Sequence, residues 1–352
     1  MANGKREMIG FTCAYTPLPL IDAAGYTPFR IFPMTDCPDH AGAILHDNLC
    51  PHIKRILDRA LDKDLPDLSG MVFVNSCDAM RRLADAWQKV RADDHAILLD
   101  LPASADKRAV SFFATELSRL ADALSRWRNR ALAVPEIEAS IKRYNTLARL
   151  LTDLRNRSYR GRLKGGSAKL QILNNLAATT PVEETILQIE LALEDNGPVK
   201  GTGENVPIYL FGHVLPDPEA FTFFESCGAR IVGDDLCTGS RVFASVDMES
   251  PGDVFLKLAK SILSKPACAR TFDAAIPLKI AEETLADAQS CGARGVIGHT
   301  VKFCDPYLAR LPVVREVFRE RGFPLLLLEG DCTLRSIGQQ RTRIEAFVEM
   351  LR

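Results

Sequence analysis

Three cysteines of this chain each follow a short hydrophobic segment and precede a segment in which a helix is predicted. They are Cys77, Cys237 and Cys304. In open α/β sheets, ligands bind in the crevice outside the carboxyl ends of the strands. The partial positive charge of a helix N-terminus at that edge favours the thiolate form of cysteine. Three separate segments with a thiol in this position predict a soft-metal or iron–sulfur site.

The strand and helix alternation that places these cysteines runs through two parts of the sequence. Strands are predicted at residues 7–12, 28–33, 70–75, 96–100, 207–211, 229–233, 294–299 and 324–328. Helices are predicted between them at residues 51–63, 78–91, 217–226, 252–264, 277–290, 306–321 and 338–351. Residues 107–195 have only the three- and four-residue apolar spacing of helices. The alternation predicts βαβ units and parallel sheets.

We therefore expect an α/β protein with two Rossmann/flavodoxin-like domains. The N-terminal domain is predicted at residues 1–125 and the C-terminal domain at residues 199–352, with a helical connection at 126–198. A segment rich in turn-forming residues, 196–205, precedes the second domain. The cleft between the strand ends of the two domains is the expected site.

Composition and charge limit the classes of partner. The 352 residues have a formal net charge of −1, which gives no support for a nucleic-acid or membrane-surface partner. No apolar run reaches the roughly 18 residues of a membrane-spanning helix, and the first residues lack the pattern of a secretory signal. We expect a cytoplasmic protein, in which the 10 cysteines are thiols or metal ligands, not disulfides.

The cysteines fall into groups by position. Cys227 and Cys291 lie at predicted helix ends beside a capping glycine and are interpreted as buried small hydrophobic residues. Cys37 and Cys332 lie in loops and receive no role. The other six lie at predicted strand–helix junctions or in loops: Cys13, Cys50, Cys77, Cys237, Cys268 and Cys304. The sequence has no C-x-x-C pair, so ligands would come from distant segments, and a zinc site with His52 or His299 also stays open.

Three further features carry polar chemistry near the predicted cleft. Arg241 could bind a phosphate or carboxylate through two hydrogen bonds. The glycine-rich, basic segment 161–167 could meet an anion, although a helix–helix connection is the favoured interpretation. Glu329 and Asp331 follow an apolar strand and could serve proton transfer, cap a helix or solvate a loop.

Several longer segments carry a resemblance when they are taken together and in order. They are Ile9-Gly-Phe-Thr-Cys-Ala-Tyr-Thr-Pro, Asn48-Leu-Cys-Pro-His-Ile-Lys, Asn75-Ser-Cys-Asp-Ala-Met-Arg-Arg, Asp234-Asp-Leu-Cys-Thr-Gly-Ser-Arg, Lys302-Phe-Cys-Asp and Arg341-Thr-Arg-Ile-Glu-Ala-Phe-Val-Glu-Met. Over nearly the whole chain, this order resembles the 2-hydroxyacyl-CoA dehydratase and benzoyl-CoA reductase family.

The resemblance implies a 4Fe–4S cluster held by Cys50, Cys77 and Cys304, with one iron left open to water or a substrate oxygen. It also implies an acyl-CoA substrate, an ATP-hydrolysing iron–sulfur activator protein, and either a paralogous partner subunit or a homodimer, in anaerobic metabolism. In the dehydratases an electron from the activator turns the thioester carbonyl into a ketyl radical anion. The neighbouring hydroxyl then leaves, and the product is a trans-2-enoyl-CoA. Whether a flavin is bound stays open.

The implied chemistry sets two requirements on the site. A low-potential cluster should be buried and have few neutralising charges around it. A proton acceptor should lie close by, and Thr12, Tyr15, Thr16 and Glu329 are candidates by location alone.

Two alternatives to an acyl-CoA enzyme remain open. Cys13, Cys237 and Cys268 stand at positions that resemble a second branch of the family, in which six cysteines hold a double-cubane 8Fe–9S cluster in ATP-dependent reductases of small molecules. The stretch around Cys77 is more similar to the acyl-CoA members, which we therefore favour. The chain could also be a non-catalytic partner subunit that relays electrons, which the absence of a CoA-sized pocket would favour.

Overall fold

The computed structural model describes residues 6–33, 39–195 and 205–352, and within them the chain forms two parallel four-stranded sheets. The strands are β1 (Met8–Phe11), β2 (Thr27–Arg30), β3 (Leu68–Asn75), β4 (Ala96–Asp100), β5 (Val206–Gly212), β6 (Ala229–Leu236), β7 (Gly295–Val301) and β8 (Leu325–Gly330). Their order is β2-β1-β3-β4 in one sheet and β6-β5-β7-β8 in the other. Both sheets therefore repeat one doubly wound arrangement, which confirms the predicted α/β class.

The helices of the same described ranges connect and cover these strands. They are α1 (Leu18–Ala23), α2 (Pro51–Leu61), α3 (Asp78–Val90), α4 (Lys107–Trp127), α5 (Val134–Tyr159), α6 (Gly166–Ala177), α7 (Val182–Glu194), α8 (Pro218–Ser226), α9 (Val254–Leu263), α10 (Lys279–Ser290), α11 (Asp305–Glu320), α12 (Leu334–Gly338) and α13 (Arg341–Met350), with a 3-10 turn at Ala41–Ala43. None of these described helices is long and apolar enough to cross a membrane.

The central strands consist of continuous apolar runs because helices cover both faces of each sheet. Every residue of β7 is buried, and so are residues 70–74 of β3. Parallel sheets with two covered faces require this composition instead of a polar–apolar alternation. The direction of winding reverses between two neighbouring strands of each sheet. These strands are β1 and β3 in the first sheet, and β5 and β7 in the second. Crevices at such points are the ligand sites of this architecture.

The helical segment does more than connect the two sheets. α4 packs Phe113 and Leu117 against Val72 of the first sheet, and α9 adds Leu258 and Ile262 to the same apolar cluster. α9 belongs to the second part of the sequence, so the two parts share a core. The boundaries at 125 and 199 remain a prediction, and most of the predicted turn-rich segment lies outside the described residues, as does Cys37.

The main difference from the predicted elements concerns Cys237. It follows β6 as expected, but a turn and a loop follow it, and the next helix, α9, begins only at Val254. The Asp234 carboxylate accepts from the backbone amides of Leu236 and Ser240 at 3.1 and 2.9 Å, which holds a tight turn here. The prediction of a helix directly after Cys237 was therefore wrong. Segment 161–167 is the helix–helix connection that was favoured, between α5 and α6.

Gly212 ends β5 at the edge where the site is expected, and its backbone requires glycine. Its φ is +140°, and a Cβ atom there would lie 1.9 Å from the carbonyl oxygen of His299. We expect Gly212→Ala to lower the free energy of unfolding by about 3 kcal/mol or more, because the backbone has to move. Urea denaturation measures this effect.

Gly338→Ala is the control, since a Cβ atom at that position meets no atom within 4 Å. A change above about 1 kcal/mol in the free energy of unfolding of Gly338→Ala would contradict this explanation.

Candidate functional site

A cavity of about 80 Å³ lies where the carboxyl ends of strands from both sheets face each other. Each half of the chain contributes about half of its wall. The lining residues are Thr12, Cys13, Ala14, Tyr15, Arg30, His52, Ser76, Cys77, Met80, His213, Val214, Cys237, Arg241, Cys268, Ala269, Arg270, Cys304, Pro306 and Tyr307. Five of the six cysteines predicted to be metal ligands line this one cavity. The sixth, Cys50, packs in the same apolar cluster as Cys304 and Val214.

Cys50, Cys77 and Cys304 share one structural position, the residue that caps the N-terminus of a helix. They precede α2, α3 and α11 respectively. Backbone amides of the first turn lower the pKa of each thiol, namely those of His52 and Ile53 for Cys50, Met80 for Cys77 and Tyr307 for Cys304. Three helix N-termini are thus directed at three thiols, which favours thiolates as ligands.

Burial opposes this preference as long as the thiols have no positive partner. It raises the pKa of Cys50 to about 12, and it also raises those of Cys77 and Cys304. The thiols also act on one another, because Cys77 raises the pKa of Cys50, and Cys50 and Cys77 raise that of Cys304. Thiolates that raise one another's pKa values in this way are stabilised by a cation among them. The donor set therefore fits a soft, positively charged metal centre.

Cys13, Cys237 and Cys268 form a second group of thiols at the same cavity. A hydrogen bond between Cys237 and Cys268 lowers the pKa of Cys268 to about 6 and raises that of Cys237. Arg241 donates to the Cys237 sulfur at 3.4 Å. Burial raises the pKa of Cys13, and the nearby Cys268 adds to this effect. The second group is therefore also a candidate ligand set.

Buried cations surround this second group. Arg241 pairs with the Asp235 carboxylate at 2.5 Å, and both residues are buried. Burial works to lower the pKa of Arg241, but Asp235 together with Tyr307, Cys268 and Cys237 outweighs burial and raises this pKa well above its usual value. Burial raises the pKa of Asp235, and Arg241 opposes this rise. Arg30 is 1% exposed and donates to the Cys237 carbonyl oxygen at 2.7 Å. Burial lowers the pKa of Lys265 to about 8.

The two ends of the cavity differ in charge. Near Cys50, Asp305 raises the pKa of Cys50, and burial, with a smaller contribution from Arg30, lowers the pKa of His52 to about 3, which leaves its ring uncharged. The expectation of few neutralising charges around a low-potential cluster stays a prediction. Buried cations lie beside Cys13, Cys237 and Cys268.

A mononuclear metal site is not found in the part of the chain that the structure describes. No three His, Cys, Asp or Glu side chains there converge on a point that a single ion could occupy. A cubane presents a different target, because each cysteine binds its own iron and the sulfur atoms stand further apart than around one ion. Cys13 and Cys268 act electrostatically on Cys77, and Cys268 acts on Cys304, so thiols of both groups are close enough to be considered as ligands of one cluster.

The other predicted site residues are placed as follows. Thr12, Tyr15 and Arg241 line the cavity. Thr16 is buried but lines a separate small cavity beside α1. Glu329 is exposed on β8 and lines none of the cavities described here. Its catalytic role and that of Thr16 remain predictions without a contact to the thiols.

Sequence reasoning missed several residues that surround the thiols. Arg30, Asp235 and Tyr307 contact Cys237 or Arg241. Of these, Asp235 lies in a segment that carries the family resemblance, but no role was assigned to it. The available signal for Arg30 was its place as the last residue of an apolar strand. Cys332, which was assigned no role, is buried with a φ of +68°, and Cys50 contributes to its raised pKa. It lies at the same end as the helix-capping cysteines.

Comparisons with known proteins agree in pointing to one kind of enzyme. The family model described as "2-hydroxyglutaryl-CoA dehydratase, D-component" matches residues 13–351. A benzoyl-CoA reductase subunit of Thauera aromatica is 25% identical and aligns over 92% of this chain and 86% of its own length. The (R)-phenyllactyl-CoA dehydratase beta subunit of Clostridium sporogenes is 23% identical and aligns over 100% of this chain and 93% of its own length. The lactoyl-CoA dehydratase beta subunit of Anaerotignum propionicum is 22% identical and aligns over 99% of this chain and 93% of its own length.

Proposed function

Because the chain belongs to the 2-hydroxyglutaryl-CoA dehydratase D-component family, we propose that it is the iron–sulfur subunit of an ATP-activated 2-hydroxyacyl-CoA dehydratase or of a closely related aromatic acyl-CoA reductase. One observation carries the proposal. Cys50 and Cys304, which are buried, and Cys77, which is partly buried, stand at the N-cap positions of three helices. Cys77 and Cys304 line one cavity and Cys50 packs in the same apolar cluster as Cys304, at the strand edge where this fold binds ligands. The full-length relatives are dehydratase and reductase subunits, so the chain is a subunit of an enzyme of this type.

In this proposal Cys50, Cys77 and Cys304 hold a 4Fe–4S cluster. When bound, the cluster supplies one low-potential electron and an open iron that acts as a Lewis acid on a substrate oxygen. The helix N-termini stabilise the three thiolates. The buried side chains of His52, Met80 and Tyr307 exclude water from the space between the thiols, which keeps the local dielectric low.

The proposed partners follow from the same relatives. Two of them are beta subunits of dehydratases, and we infer a second, paralogous subunit or a second copy for this chain. An ATP-hydrolysing iron–sulfur activator would deliver the electron, and an acyl-CoA would receive it. The cytoplasmic location also remains a prediction, which this chemistry supports because oxygen-sensitive thiolates persist in a reducing compartment.

A second candidate is the double-cubane reductase of small molecules. Cys13, Cys237 and Cys268 line the same cavity as Cys77 and Cys304, and this favours six ligands over three. The buried Arg30 and Arg241 would offset the additional negative charge of a larger thiolate-bound cluster. In this candidate the substrate is small, in keeping with a cavity of about 80 Å³.

The volume of the cavity also supports an electron-relay subunit. Pockets that enclose ligands of drug size usually measure about 300–1,000 Å³, well above the space between these thiols. In this case the chain would hold the cluster and its partner subunit would bind most of the acyl-CoA.

The deciding experiment is a count of iron and acid-labile sulfide on anaerobically purified protein, with electron paramagnetic resonance after reduction. We expect about four irons per chain, as a single cubane requires. About eight irons would replace this proposal with the double-cubane reductase. A protein with zinc or without metal would refute the radical mechanism for this chain. Screening 2-hydroxyacyl-CoA and aromatic acyl-CoA thioesters with an activator then separates a catalytic subunit from an electron relay.

A further inference from the structure

One wall of the cavity carries more positive charge than the described residues neutralise. Arg30 is buried, lines the cavity and donates through Nη1 to the Cys237 carbonyl oxygen. Its Nε has no hydrogen-bond partner, and no carboxylate in the described ranges pairs with it. A guanidinium stays charged in proteins. Cys268, with its pKa lowered to about 6, supplies one negative charge near this wall, which is fewer than the unpaired cations there. Because an uncompensated buried charge is costly, this wall favours a further anion.

Two further cations near this wall bind only carbonyl oxygens. Lys265 donates to the carbonyl oxygens of Ala14 and Val242 at 2.8 and 2.9 Å. Arg270, which lines the cavity, donates to three backbone carbonyls, among them that of Ser76 at 3.2 Å. Within the described part of the chain neither has a carboxylate partner. The excess charge is therefore a property of the wall and not of one misplaced side chain.

The charge of Arg241 is balanced and does not contribute to this excess. Its guanidinium bonds to Asp235 at 2.5 Å and also contacts the Tyr307 hydroxyl at 3.4 Å. The Nε atoms of Arg30 and Arg241 are both unpartnered, but Arg241 has a carboxylate that balances its charge and Arg30 has none in the described ranges, so the substrate role predicted for Arg241 is better suited to Arg30.

Tyr15 adds another unused donor to the same cavity. Its hydroxyl is buried, and it has no hydrogen-bond partner among the residues that the structure describes. A phenol is ordinarily protonated at neutral pH and can donate. Buried polar groups are hydrogen-bonded in nearly all native structures, so the Tyr15 hydroxyl and the Nε atoms of Arg30 and Arg241, all unpartnered at one cavity, indicate a missing acceptor. Tyr15 was first considered as a proton acceptor, but accepting a proton would not give its hydroxyl donor an acceptor.

We propose that Arg30 and Tyr15 form a binding site for a small oxyanion of the carboxylate class that the substrate presents to the cavity. A guanidinium matches the planar geometry of a carboxylate, and the cavity has room for only a few atoms. The proposal rests on the single-cluster form of the proposed function. With six cysteine ligands, the thiolates of a second cubane would supply the negative charge at this wall instead.

Acetate is the probe for this site. Anaerobically purified full-length protein of measured iron content is titrated with sodium acetate against sodium chloride at constant ionic strength, with binding followed by calorimetry and by the electron paramagnetic resonance signal. We expect saturable acetate binding in the wild type. Arg30→Gln should weaken it about tenfold or more, and Tyr15→Phe about threefold or more, because each removes a donor to a charged oxygen.

Matched variants keep the test independent of folding. Arg30→Lys retains the charge and should bind acetate with an affinity between those of the wild type and Arg30→Gln, even if the glutamine variant is unstable. Arg128→Gln is the control, since Arg128 lies over the Tyr26 ring and pairs with Glu7 outside the cavity, and it should bind acetate as the wild type does.

Each result decides the question. A protein with about four irons and no saturable acetate binding would overturn the site, and so would equal affinities in the wild type, Arg30→Gln and Arg30→Lys. About eight irons with acetate excluded would identify the cluster itself as the anion and also overturn it. A protein without iron that still binds acetate in an Arg30-dependent manner would support the site while refuting the proposed function.

Discussion

Cys304→Ala is expected to lose nearly all of its iron and to be at least about 100-fold less active than the wild type. Residues that only orient metal ligands already contribute about 10–100-fold, and Cys304 is proposed as a ligand itself. The thiol is buried, caps α11 and lies within the electrostatic influence of Cys50 and Cys77. Iron and sulfide analysis of the anaerobic variant, followed by an activator-dependent assay, measures both losses.

Cys227→Ala is the matched control for this loss. Cys227 is also a buried free cysteine, but it lies at the end of α8 in an apolar cluster with Phe224 and Val348, away from the cavity. This variant should keep the iron content of the wild type. Retention of both iron and activity in Cys304→Ala would remove Cys304 from the ligand set, whatever the behaviour of the control.

Asp235→Leu is expected to lower the free energy of unfolding by about 3–5 kcal/mol. Removing one partner of a buried ion pair leaves an uncompensated charge, and this is more costly than removing the whole pair. Here the remaining charge would be the guanidinium of Arg241, which is 1% exposed. Denaturation in urea, followed by circular dichroism, provides the measurement.

Two further variants test whether charge is the cause. The double variant Asp235→Leu/Arg241→Met should recover part of the lost stability, because both charges are then gone. Arg82→Met removes a partner of the exposed Asp78, and it should cost no more than about 1 kcal/mol. If the double variant were less stable than Asp235→Leu by the full cost of a second, independent substitution, the loss would not come from the unpaired charge.

The features that could be predicted from the sequence are those with a local signature. The apolar runs of β3 and β7 identify covered parallel strands, and the residues that follow them, Cys77 and Cys304, must emerge at one edge of each sheet. Pro51 at the first turn of α2 likewise marks Cys50 as the preceding cap. The resemblance to the family followed from the order of such segments along the chain.

The features that escaped prediction depend on pairs that are distant in sequence. Arg30 and the carbonyl oxygen to which it donates, that of Cys237, are 207 positions apart. The Cys237–Cys268 hydrogen bond and the Arg241–Asp235 pair have no spacing pattern that distinguishes them from surface residues. The turn after Cys237 was missed because the Asp234 side chain stabilises it, and a helix was expected from the strand that precedes it.

The wall of the cavity is divided between the two halves, and this division sets a time at which the site becomes complete. On the proposed ligand set, the first half supplies Cys50 and Cys77, and the third thiol arrives only with Cys304. Arg270 of the second half also bonds to the carbonyl of Ser76 in the first. If these three thiols hold the proposed cluster, a ribosome that has made the whole first sheet has produced a chain that could not yet retain iron. Cluster insertion would then have to wait until most of the polypeptide has been synthesised and the second sheet has docked onto the first.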